Sequence, residues 1–152
     1  MMFKRPFKIR IKLRRAARMI KYSIILKTDK NMSDADIQIA KIFGIKDSKK
    51  LPAVSVQSLT TYYHFLHKQF VFPIQALYAQ DIEPFKTTRW GIQVLGLLDV
   101  DASDNIEFYG LFCEAKRGRQ LIQIPLADIE VSDKSSNYTL INDYQIWFEN
   151  NR

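Results

Sequence analysis

Between Ile74 and Val131 the chain lays down short, apolar, β-rich runs at Ile74–Ala79, Trp90–Leu98, Ile106–Ala115, Arg119–Ile124 and Ile129–Val131. The links between them are too short to carry crossover helices, which excludes a parallel, doubly wound sheet and leaves antiparallel neighbours joined by turns. Lys116-Arg117-Gly118-Arg119 has the length and the glycine of a hairpin turn. Pro125-Leu126-Ala127-Asp128 reads as one helical turn before the last short strand.

Helical patterns bracket the strands. Leu59, Tyr62, Tyr63, Leu66 and Phe70 share one arc of a wheel, Ser55 is placed to cap that helix, and Phe72-Pro73 stops it. A closing helix follows Ser135-Ser136-Asn137, with Leu140, Ile141, Tyr144, Trp147 and Phe148 on one face. Earlier, Ser33 caps a short helix with Asp34 and Asp36 in its first turn, and Gly44 is placed to end it. With 152 residues, 47% hydrophobic and only 5 Gly and 5 Pro, the chain suits one ordinary domain and not a low-complexity polymer. The expected fold is α+β: a small SH3-like antiparallel β-barrel flanked by an N-terminal and a C-terminal helix, preceded by a basic N-terminal extension with a short helix.

Charge divides the chain. Residues 1–50 hold fifteen basic and four acidic side chains, and residues 51–152 hold eight and twelve. The polar, proline-terminated stretch Lys46-Asp47-Ser48-Lys49-Lys50 marks the expected boundary between a basic extension, 1–50, and a folded unit, 51–152. Lys4, Arg5, Lys8, Arg10, Lys12, Arg14, Arg15, Arg18 and Lys21 stand without one acid among them, a segment that repels itself until an anionic surface neutralises it. Residues 7–13 alternate like a strand, yet the same region also carries helical spacing, so periodicity leaves both forms open. Non-specific nucleic acid or an anionic membrane is the partner such a segment suits. No run is long enough for a transmembrane segment or the core of a secretory signal, so the expected location is cytoplasmic.

The pattern Leu51-Pro52-x-Val54, Leu59-x-x-Tyr62, Phe65-Leu66, Phe72-Pro73, Tyr109-Gly110-Leu111-Phe112-Cys113, Pro125-Leu126-x-Asp128-Ile129-Glu130 and Ile141-x-Asp143-Tyr144-x-x-Trp147-Phe148 resembles the bacterial calcium-binding family first known from the cyanobacterial protein CcbP. The resemblance covers residues 51–152 and implies the barrel, a non-catalytic role and calcium as the ligand. It departs from the family in charge, since the cyanobacterial protein is acidic and this chain carries a net +7.

The motifs of catalysis are absent from the sequence. No glycine flanks a serine as a nucleophile elbow requires, and there is no HExxH. Gly91 and Gly96 have phosphate-loop spacing, but Leu97-Leu98 stand where Lys and Ser or Thr would be needed. His64 and His67 are helix neighbours without a third ligand, so they read as surface residues, and Cys113, inside an apolar run, reads as a buried structural thiol. Ala40 and Gly44 have the spacing of a helix-turn-helix, yet Pro52 leaves no room for a recognition helix. The densest set of hard oxygen donors is Asp99, Asp101, Asp104, Asn105 and Glu107, which are the expected calcium ligands. They do not form an EF-hand, because position six from Asp99 is Asp104 and position twelve is Gly110. Asp and Asn also serve as turn formers, which explains the cluster without an ion. Two roles follow: a calcium-binding barrel, or an anionic-surface binder acting through the basic segment, with the barrel as a module for an unknown protein partner.

Overall fold

The computed structural model describes residues 34–46 and 50–152. Helix α1, Asp34–Ile42, ends as its glycine dictates. Gly44 takes φ +66°, its N–H donates to the Lys41 carbonyl, and Ile45 N–H donates to the Ala40 carbonyl at 2.9 Å, a Schellman closure. Helix α2, Val56–Gln69, starts in a reciprocal capping box. Ser58 N–H donates to Ser55 Oγ at 3.1 Å, and Ser55 N–H donates to Ser58 Oγ at 2.8 Å. Its buried arc, Leu59, Tyr62 and Leu66, is the one the spacing anticipates.

Five antiparallel strands follow: β1 Ile74–Glu83, β2 Lys86–Leu97, β3 Phe112–Arg117, β4 Gln120–Pro125 and β5 Ile129–Glu130. Their order is β4-β3-β2-β1-β5. The β3–β4 hairpin turns through Gly118, at φ +59°, between the paired residues Arg117 and Gln120. The Leu126–Asp128 turn is a single 3₁₀ turn, as expected. Arg89 and Glu130 join β2 to β5 by an exposed ion pair at 3.1 Å.

Two expectations are corrected. The sheet is open, with β4 and β5 at its two edges, so the SH3-like barrel does not form. Closure would need β4 to meet β5, but β5 contributes two residues, both spent on pairing with Leu77 and Tyr78 of β1. Ile106–Tyr109, expected within a strand, is instead a single turn of helix, α3, bounded by left-handed Asn105 at φ +59° and by Gly110.

Helix α4, Tyr138–Asn151, packs against both α1 and α2, and Ile141, Tyr144, Trp147 and Phe148 are at most 1% exposed. These residues form one core with Leu59, Tyr62 and Leu66 of α2 and with the inward side chains of the sheet, Ile74, Ile92, Val94, Cys113 and Ala115. Three polar devices fix α4. Gln145 Nε2 donates to the Ile129 carbonyl at 2.8 Å. Trp147 Nε1 donates to the Pro52 carbonyl at 3.1 Å. Asn137, only 4% exposed, uses its amide as a strand neighbour would: Val71 N–H donates to its Oδ1 and its Nδ2 donates to the Val71 carbonyl. Packing also crosses the boundary expected after residue 50, because Ile39 of α1 is fully buried in this core and Phe43 lies 5.3 Å from the Trp147 ring.

Candidate functional site

Residues 98–111 join β2 to β3, and apolar anchors alternate in them with oxygen donors. Leu98 N–H donates to the Phe112 carbonyl at 2.9 Å and closes the base of the connection. Val100, in a 3₁₀ turn spanning Val100–Ala102, and Ile106, 7% exposed, pack into the core and pull the backbone down. The intervening Asp99, Asp101, Asp104, Asn105 and Glu107 are left exposed. Asp99 Oδ1 accepts from Asp101 N–H at 3.3 Å, capping the turn, so part of the acidic character is local turn chemistry.

The far end of the connection is fastened to α4. Leu111 N–H donates to Tyr144 Oη at 2.8 Å. Arg152 Nη1 donates to the Phe108 carbonyl at 3.2 Å, with its guanidinium 5.7 Å from the Phe108 ring. Sequence reasoning missed these fasteners, since nothing in the spacing of Tyr144 or Arg152 points to a partner more than thirty positions away.

The donor set fits calcium in kind, because it consists of hard oxygens and, among the described residues, none of the four carboxylates is used in an ion pair. The arrangement is less complete. Among the described residues no three His, Cys, Asp or Glu side chains converge on a point that could hold a metal ion. The set is therefore strung along a surface connection and not folded into a cage.

The other sequence candidates fall as follows. Lys4, Arg5, Lys8, Arg10, Lys12, Arg14, Arg15, Arg18 and Lys21 lie outside the described residues. His64 and His67 are exposed on α2, each with its ring centroid 5.5 Å from that of Tyr63, His64 edge-on and His67 stacked. Cys113 is fully buried, and its Sγ donates to the Ile124 carbonyl at 3.4 Å. Burial, then Asp128, pushes its thiol up to about 12, which leaves no nucleophilic thiolate at neutral pH. Among the described residues no helix is long and apolar enough to cross a membrane.

Three acidic side chains among the described residues are buried: Asp128, Asp143 and Glu149. Asp143 of α4 is 8% exposed, and burial, followed by the charge of Asp36 on α1, pushes its carboxyl up to about 6. Tyr62 Oη is fully buried beside it, with no hydrogen-bond partner among the described residues; burial, then Asp143 and Tyr144, push that hydroxyl upward. The unfolded Asp143 carboxyl titrates near 3.8, so the folded state holds the proton more tightly. The stability this group contributes is therefore fully present below about pH 4 and is lost as pH rises through about 6. Asp143→Asn will remove that decline and raise stability at pH 7 by roughly 1–2 kcal/mol, as read by urea unfolding at several pH values. A variant with the same pH dependence as the parent would refute the assignment.

A family model described as calcium binding, and bearing the name CcbP, matches residues 53–148. Two solved structures are similar. The crystal structure of CcbP from Anabaena is 15% identical, with 78% of this chain and 93% of that one covered and a TM-score of 0.53. A calcium binding protein in its calcium-binding form is 16% identical, with 78% of this chain and 97% of that one covered and a TM-score of 0.55. At these identities the likeness to the two structures is one of fold. No curated protein matches the sequence.

Proposed function

The chain belongs to the CcbP family of calcium-binding proteins, and from that membership we propose that it is a non-catalytic binder of calcium ions whose ligands come from the connection between β2 and β3. The observation that carries this reading is the span of the family match, 53–148, which includes the whole of that connection. Asp99, Asp101, Asp104, Asn105 and Glu107 supply the side-chain oxygens. Main-chain carbonyls and water complete the six to eight ligands the ion takes. Exposed carboxylates strung along a turn are not preorganised, so the affinity falls on the order of 10⁻⁵ to 10⁻³ M, weaker than a dedicated buffer site.

Calcium titration of the full chain, followed by amide NMR, tests it. Residues 98–111 shift on calcium addition and return on chelation, and the melting temperature rises with the ion. Asp101→Asn combined with Asp104→Asn abolishes both responses. Wild type that shows no response at millimolar calcium would sink the function; a double variant that still responds would move the site elsewhere on the fold.

A further inference from the structure

β4, Gln120–Pro125, forms one edge of the open sheet, and the hairpin that joins it to β3 fixes which of its backbone groups point outward. Arg117 and Gln120 flank a two-residue turn and so exchange hydrogen bonds, and just past the far end of β4 Leu126 N–H donates to the Leu111 carbonyl at 2.8 Å. Between these points Ile122 and Ile124 also turn their backbone groups toward β3. Leu121 and Gln123 turn theirs to the open side, where they have no partner among the described residues. Pro125, next in that series, has no N–H to offer.

Edge strands are usually blunted by extreme shortness, a bulge or a charge. β4 has none of these: its six residues carry no charge, its pairing with β3 is unbroken, and Leu121 is 61% exposed. β5, at the opposite edge, is two residues long.

We propose that β4 pairs antiparallel with β4 of a second copy of the chain, joining two five-stranded sheets into one across a two-fold axis at Ile122. In this register Leu121 faces Gln123 of the partner subunit, the same pair recurs on the other side of the axis, and every outward N–H and C=O of Leu121 and Gln123 is used. Charge selects a second copy and this alignment. On the outer face of the sheet Lys116 of β3 stands beside Leu121 and Glu114 beside Gln123, and neither is ion-paired among the described residues. Each row of the joined sheet therefore runs from Lys116 through Leu121 and Gln123 of the partner subunit to Glu114 of the partner subunit, opposite charges on backbones about 14 Å apart. A slip of two residues one way sets Lys116 in a row with Lys116 of the partner subunit, and a slip the other way does the same for Glu114. The two Arg119 residues, in the turns, end roughly 20 Å apart, beyond the range of screened repulsion. Because β5 is too short to recruit further copies, association stops at two.

Six residues a side is well below a standard interface, so the dimer is weak, half-formed on the order of 10⁻⁴ M. Sedimentation equilibrium of the full chain from about 10 μM to about 1 mM tests the proposal. The average mass is expected to climb from that of one chain toward twice that value, with amide exchange at Leu121 and Gln123 slowing in step. Gln123→Pro removes an outward N–H without touching the β3 ladder, and it is expected to weaken association about tenfold or more. Lys116→Glu weakens it a few-fold, and adding Glu114→Lys restores it, a rescue that a general apolar contact would not show. Wild type that stays a single chain at about 1 mM overturns the proposal. So does association that leaves amide exchange at Leu121 and Gln123 unchanged, or that Gln123→Pro does not weaken.

Discussion

Replacing Gly110 with alanine will destabilise the protein by about 3–5 kcal/mol, a fall in melting temperature of roughly 10–15 °C. Two independent costs combine. Gly110 has φ +76° and ψ −162°, a conformation open essentially to glycine alone. A methyl group there would also strike Tyr144 Oη and stand 2.9 Å from Phe148 Cε2. Neither neighbour can yield cheaply, because Tyr144 and Phe148 are fully buried and Tyr144 Oη accepts from Leu111 N–H. Calorimetry of Gly110→Ala beside Gly91→Ala, whose Cβ would meet nothing within 4 Å, separates this local effect from glycine loss in general. A shift no larger than that of Gly91→Ala would show that α4 is not held as tightly as its contacts require.

Ile39→Ala, in α1, will cost about 2–5 kcal/mol, the range for emptying a fully buried aliphatic site. The residue lies ahead of the change in charge sign, within residues 1–50, the segment that composition sets apart. If α1 were an appendage, the same change would be worth a few tenths of a kcal/mol. Urea midpoints of Ile39→Ala with an unchanged m-value will place α1 in the cooperative unit. A loss below about 0.5 kcal/mol would detach it from that unit.

That contrast shows what the sequence carried and what it left out. Local signals were legible. Ser55 capped α2 as its side chain allows, Gly44 closed α1, Gly118 made the β3–β4 turn, and the face of α4 was buried where the spacing placed it. Ile-Glu-Phe-Tyr at 106–109 was misread because four residues of β-rich composition span barely one helical turn, too short for either period to speak. The backbone is set there by Asn105 and Gly110, not by the four residues between them. Barrel closure was misread for a different reason: strand runs announce pairing but not whether the two edges meet, and that depends on the length of β5. For the candidate site, the oxygen donors were visible as residue types. Their anchors, Val100 below and Tyr144 and Arg152 behind, depend on contacts distant in sequence that no local pattern encodes.

The arrangement of α4 also has a consequence for how the chain is made. Leu59, Tyr62 and Leu66 are covered by Tyr144, Trp147 and Phe148, and Trp147 reaches back 95 positions to Pro52. During synthesis, the partners of α2 leave the ribosome some eighty residues after α2 itself, about 4–16 s at ordinary elongation rates. Throughout that interval the aromatic arc of α2 and the inner face of a growing open sheet lack the cover that α4 supplies in the folded protein. Until its last helix emerges, the nascent chain therefore exposes apolar surface of the kind that holdases bind.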